Sequence, residues 1–298
     1  MRLNFLCLDD ALKAENRQAG IFWMLATMLC FITLDATVKY CLQTYSLVQV
    51  TWARFFFAMI IAMLLCGRSL PQLAISRNFK VQGTRSLFLL STTALFNAGL
   101  LHVPLPTATT IMFMSPILVT VISIFVLGEH VGLRRWSGII FGFIGALIVM
   151  RVWESGFTSV DHGALLILAA AFTNASYQIA TRALRQDHAL TSLLYTAAIG
   201  AVVSSCALPW FWRMPDLIGW LLLISCGVSG CLGHLCLIRA FQAAPASIVA
   251  PFSYSSLIWS TLFGFMIWGD VPMWTTLAGA SLIIGSGLYI FERERRSS

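Results

Sequence analysis

Three ionisable residues stand where an apolar chain least tolerates them. Asp35 and Lys39 close the run GIFWMLATMLCFITLDATVKY (20–40), and Arg54 sits inside LVQVTWARFFFAMIIAMLLC (47–66). In lipid such groups neutralise one another, relay a proton, or hold the two charges of a zwitterionic solute. Asp35 lies fifteen residues into its run, about 22 Å at 1.5 Å per residue, hence about 8 Å from the far edge of a ~30 Å hydrocarbon core. Arg54 lies seven residues into the returning run, about 10 Å deep. The depths agree, so the spacing predicts that Asp35 and Arg54 meet, with Lys39 one helical turn above Asp35. Two readings stand side by side: a static ion pair joining the first two helices, or an outer gate or proton site.

Other polar and aromatic groups punctuate the remaining apolar runs: Asn97, Ser115, Asn174, Tyr177, Gln178, His234, Tyr254 and Trp259. Singly, each amide or hydroxyl serves as glue between helices. Together they suit an apolar pocket with a few polar fixtures, the form of a small-molecule site. Pro116 and Pro251 fall inside apolar runs, where each frees a carbonyl and kinks its helix; both are predicted hinges. Cys231 and His234 share a helical face, but Cys236 does not join them, so no metal site is predicted, and no cofactor. The sequence carries no HExxH, GxSxG or Walker motif, which argues against enzyme chemistry and ATP-driven pumping and leaves an ion or solute gradient as the driving force.

The elements that position these residues follow from composition. Hydrophobic residues make up 58% of the chain and charged residues 10%, with a mean hydropathy of +0.83, whereas soluble domains carry about 25% charged residues. This is a membrane protein, and uniformly apolar segments of this length must be helices so that the backbone bonds to itself. Ten spans are predicted: 20–40, 47–66, 86–103, 107–127, 136–153, 163–182, 191–212, 217–240, 246–268 and 272–291. The net charge of +7 is scattered between spans, so nucleic acid is not an expected partner; the bilayer and a small-molecule solute are. The eight cysteines read as small packing residues.

Residues 20–153 and 163–291 read as two copies of one five-span unit, between a tail at 1–19 and a basic tail at 292–298. With a shift of 143, Gly20 falls on Gly163, Ala26 on Ala169, Lys39 on Arg182, and Asp35 on Gln178. An odd number of spans mounts the second copy upside down. Lys and Arg agree: with the N-terminus inside, only Lys39, Arg151 and Arg213 fall outside, so both termini are expected in the cytoplasm. Inverted repeats are a transporter signature. Spans five and ten carry Gly138, Gly142, Gly145 and Gly279, Ser281, Gly285, Gly287, small residues that allow close helix approach. They read as scaffold, and the chain as a monomer or a homodimer.

The pattern resembles the drug/metabolite transporter superfamily, in its EamA-like ten-helix branch. The residues that carry the resemblance are the two five-span units, Pro116 followed by Leu127–Gly128–Glu129, the glycine span after it, Ala250 to Tyr254, Trp268–Gly269–Asp270, and Asp35…Lys39…Gln49…Arg54. Asp270 replaces the more usual Glu. The resemblance implies an all-α fold in the bacterial inner membrane with a central cavity lined by spans 1, 3, 4, 6, 8 and 9 and opened alternately. It also implies small organic solutes, foremost the export of aromatic and other neutral amino acids. Transport of a drug or another metabolite is the alternative, and a receptor without flux a further one.

Overall fold

The computed structural model describes residues 17–73, 75–76, 78–127, 133–150, 161–182, 184, 188–244 and 249–297. Most of the expected tail at 1–19, together with Gly128 and Glu129, lies outside them.

The chain is all helix among the described residues. It runs α1 (Arg17–Cys41), α2 (Leu47–Cys66), a short turn of helix α3 (Leu70–Leu73), α4 (Phe79–Leu100), α5 (Leu105–Met112), α6 (Met114–Leu127) and α7 (Leu133–Val149). It continues with α8 (His162–Arg182), α9 (Ala189–Phe211), α10 (Leu217–Ala243), a 3₁₀ segment (Ala250–Ser255), α11 (Ser256–Trp268) and α12 (Trp274–Ser297). Among the described residues, six stretches are long and apolar enough to cross a membrane: Arg17–Cys41, Leu47–Gln72, Leu105–Ser123, His162–Thr181, Leu190–Phe211 and Leu217–Ala243, with the shorter Trp136–Val149 beside them. The protein is therefore a multi-pass membrane protein.

Three of the expected spans are altered for local reasons. The fourth span is broken between α5 and α6 at Phe113, whose N–H bonds the Thr110 carbonyl three residues back at 3.1 Å. Pro116, three residues on, has no N–H to offer the Met112 carbonyl, so the regular ladder cannot continue through this point. Pro251 lies in the 3₁₀ segment that precedes α11. The last helix runs on to Ser297 instead of stopping at 291, because Glu292 to Arg296 are good helix formers.

The packing is reciprocal. α1 lies along α10 and α4 along α8, while α2 packs on α9 and α7 on α12. The small residues of spans five and ten are used within the chain. A Cβ added at Gly145 of α7 would stand 2.9 Å from the Gly279 carbonyl oxygen, and one at Gly279 of α12 would stand 2.6 Å from that of Gly145. Only glycine lets these two backbones touch. The largest buried side chains of the core, among them Leu34, Leu100, Leu105, Ile111, Met114 and Ile167, come from the helices around this frame.

Candidate functional site

The walls come first. α2, α4, α9 and α10 leave a narrow cleft lined by Arg54, Phe55 and Ala58 of α2, Leu89 of α4, Thr196 and Ala197 of α9, and Cys231 and His234 of α10. Its volume is about 30 Å³. An open small-molecule site measures about 300–1,000 Å³, so here the cleft has room for one small polar group only. The glycines of α10 shape this wall by letting neighbours close in: the ring of Phe31 of α1 packs onto Gly233 and meets His234 edge-on, with 5.2 Å between ring centroids.

Arg54 faces this cleft. Its guanidinium lies 5.8 Å from the Phe55 ring centroid and donates no hydrogen bond to any described residue. The charges of Asp35 and Arg54 act on one another, yet the two do not close to an ion pair within 4.0 Å. The direct pairing expected from their equal depth is therefore not made. The reason is packing: α1 lies along α10, while α2 turns Arg54 toward α9 and α10.

Lys39 takes a different partner from the one its spacing suggested. It does not stay with Asp35 on its own helix but reaches Asp270 Oδ2 at 3.3 Å and the Val103 carbonyl at 3.2 Å, with its ammonium 4.8 Å above the Trp268 ring. The ends of α1, α4 and α11 thus meet at one charge. Gly269 makes this possible. It takes a left-handed φ of 71°, its N–H bonds the Phe265 carbonyl, and the Asp270 N–H bonds the Gly264 carbonyl, so α11 ends abruptly and Asp270 turns back over the bundle. The same face is tied by Tyr45 to Asp216 at 3.3 Å, and by Gln49, which exchanges hydrogen bonds with the Arg213 backbone at 2.7 and 3.0 Å.

The opposite end is held by a residue that sequence reasoning left in a connection. Arg85 is a member of α4 and only 5% exposed. Its guanidinium donates to Thr181 Oγ1 (2.8 Å), the Ser192 carbonyl (3.1 Å), Thr196 Oγ1 (2.8 Å) and Tyr177 Oη (2.7 Å), and lies over the Tyr177 ring at 4.6 Å. No described carboxylate stands within 4.0 Å of it. The available signal was the coincidence of Thr181 and Tyr177 with Thr196 and Ser192 on neighbouring spans, all short polar groups near one membrane face.

The remaining predicted residues fall into separate groups. Ser115 of α6 accepts from Asn174 Nδ2 at 3.0 Å and from Gln178 Nε2 at 3.2 Å, joining α6 to α8. Asn97 donates to Thr51 Oγ1 at 3.2 Å and leaves its buried carbonyl oxygen unpartnered. Tyr254 packs edge-on against Phe113 at the break between α5 and α6, 5.1 Å between centroids. Trp259 buries an indole N–H without a partner. Of the Cys231, His234 and Cys236 trio, the first two line the cleft and Cys236 turns to Cys30 of α1.

The sequence pattern of the EamA-like transporter family matches residues 18–151 and, a second time, residues 161–291. The chain belongs to the EamA-like transporter family. Its relatives include the S-adenosylmethionine uptake transporter of Rickettsia bellii, 30% identical over 294 residues that cover 97% of this chain and 98% of the relative. The riboflavin transporter of Vibrio cholerae is 30% identical over 288 residues, 94% of this chain and 95% of its own. The pseudopaline exporter CntI of Pseudomonas aeruginosa is 26% identical over 276 residues, 90% and 94%. A solved crystal structure superposes on 95% of this EamA-like chain and 100% of its own, with a TM-score of 0.64 at 20% identity, which shows a common fold.

Proposed function

We propose that this EamA-like chain is a secondary transporter of small organic metabolites, working by alternating access between two inverted five-passage halves, 20–153 and 163–291. The observation that carries the reading is the seam. Of the four helices that wall the Arg54 cleft, α2 and α4 belong to the first family match and α9 and α10 to the second. A site built equally from two repeats is where rocking of one against the other exposes a solute first to one side and then to the other.

The inverted mounting draws support from the reciprocal packing. α1 lies on α10, and its counterpart α8 lies on α4, the counterpart of α10. Setting aside the four-residue α3 and counting α5 with α6, and the 3₁₀ segment with α11, as single interrupted passages, the described residues are consistent with ten. The distribution of Lys and Arg supports cytoplasmic termini and puts the Lys39 face outside, in a bacterial inner membrane.

For the cargo, relatives named for S-adenosylmethionine, riboflavin and pseudopaline favour a metabolite over the amino acid export that the sequence resemblance suggested. The test is counterflow in proteoliposomes preloaded with each unlabelled solute and offered labelled S-adenosylmethionine, riboflavin or phenylalanine in turn. Entry of either metabolite label supports the reading, and entry of phenylalanine alone returns it to amino acid transport. Tight binding with no flux of any label means a receptor and overturns it. Asp35→Asn separates a gating role from a structural one: slower exchange marks a gate or proton site, whereas unchanged exchange with a lower Tm marks a packing role.

A further inference from the structure

The charge balance of the cleft is uneven. Arg54 presents a guanidinium with no hydrogen-bond acceptor among the described residues, directly on the cavity wall. Arg85 stands behind Thr196, which lines the same cavity and accepts one of its hydrogen bonds. Among the described residues, Asp35 is the carboxylate whose charge reaches Arg54. Two guanidinium groups thus face one carboxylate in a low-dielectric interior, where an unbalanced charge is costly and is retained at functional positions.

The two arginines differ in what they have left to give. Arg85 gives four of its five N–H donors to neutral acceptors from Tyr177, Thr181, Ser192 and Thr196 and is locked in place by them. It contributes a fixed positive field but few free donors. Arg54 commits none of the donors of its planar fork to a described residue. A fork of this kind matches the two oxygens of a carboxylate in a bidentate pair, and such charge-assisted bonds are among the strongest that side chains make. His234, across the cavity, closes the site on the α10 side. The space of about 30 Å³ admits a group of about that size while the rest of a solute stays outside until the halves open.

We infer that Arg54 is the docking point for a carboxylate carried by the solute, with Arg85 as a positioning residue whose neutral cage holds a second positive charge behind the site. This rests on the transporter reading above and names the chemical class of its cargo: a metabolite with a free carboxylate. Phosphate is the lesser fit, because a dianion needs more than one open cation and, of the two guanidinium groups, Arg54 alone is open.

Equilibrium binding to the purified full chain in detergent tests this apart from flux. The probes are S-adenosylmethionine and its decarboxylated analogue, which differ in the carboxylate alone, with acetate against acetamide and inorganic phosphate as bare groups. The expected result is at least tenfold tighter binding of the carboxylate member of each pair. Arg54→Lys, which keeps the charge and loses the fork, should erase most of that preference while eluting as a folded monodisperse protein. Arg85→Lys should weaken both carboxylate probes several-fold and leave the preference in place. Equal binding of both members of the pairs, a flat titration with every probe, or phosphate outcompeting acetate would each overturn the inference. Carboxylate-selective binding without counterflow would sink the transport reading alone, and counterflow indifferent to the carboxylate would sink this inference alone.

Discussion

Lys39 and Asp270, 231 residues apart in sequence, stand 3.3 Å apart in space, and the same ammonium takes the Val103 carbonyl. The pair joins the first family-matched segment to the second at one end of the bundle. Its side chains are 15% and 24% exposed, so screening leaves it a stabilisation of about 0.2–1 kcal/mol, too little to matter for folding. A bias of about 1 kcal/mol does shift a two-state opening equilibrium about fivefold. Asp270→Asn should therefore raise the labelling rate of a cysteine placed at Thr37, in a background with the native cysteines replaced by serine, by a few-fold with an impermeant maleimide added outside. The swapped pair Lys39→Asp with Asp270→Lys should bring the rate back down. Unchanged labelling in the single variants rules out a closing role for the pair.

Arg85 should matter to stability more than any other basic residue in the described part of the bundle. Its four hydrogen bonds fasten α4 to α8 and α9, and a hydrogen bond involving a charged group contributes about 1.5–3 kcal/mol net, less than additively when several share one side chain. Arg85→Ala should lower stability by on the order of 3 kcal/mol, read as a large drop in Tm in detergent, with Arg85→Lys intermediate. A Tm within a degree of the parent for the alanine variant contradicts the geometry.

The α7–α12 contact admits no side chain at its centre. Gly279→Val should cost about 1–3 kcal/mol or more through overpacking against the Gly145 carbonyl and Val149. Gly285→Ala is the control, since a Cβ there meets nothing within 4 Å. If the two variants melt together, the helices do not touch as described.

Tyr45 lies in the connection after α1, and burial, then the Asp216 carboxylate beside it, push its phenol above the ordinary value. The neutral form is the one the fold favours. Its contribution is thus fully present below the ordinary tyrosine pKa of about 10 and disappears as pH climbs through the raised value. Thermal melts across the alkaline range should show a loss of stability that Tyr45→Phe removes. Asp216→Ala should cost about 1 kcal/mol at neutral pH as well, because Asp216 also caps α10 by accepting from the Gly219 N–H at 2.8 Å.

Much of this protein was written in its sequence. With so few charges the backbone has to satisfy itself in lipid, so runs such as Gly20–Tyr40 had to become helices. Pro116 removed an N–H that the preceding turn requires, so an interruption near it followed from covalent chemistry alone. The shift of 143 set Gly20 on Gly163 and Ala26 on Ala169, and the family pattern matches the chain twice, over 18–151 and 161–291. Partners were another matter. Lys39 belongs with Asp270 and not Asp35, Arg54 stays open instead of closing on Asp35, and Arg85 lies inside the bundle instead of in water. Periodicity tells which face of a helix a residue occupies, but which of the other helices that face meets depends on how the whole bundle packs. Only the tertiary structure decided that, because glycine contacts such as Gly145 on Gly279 set how closely helices approach, and with that which charges come within reach of one another.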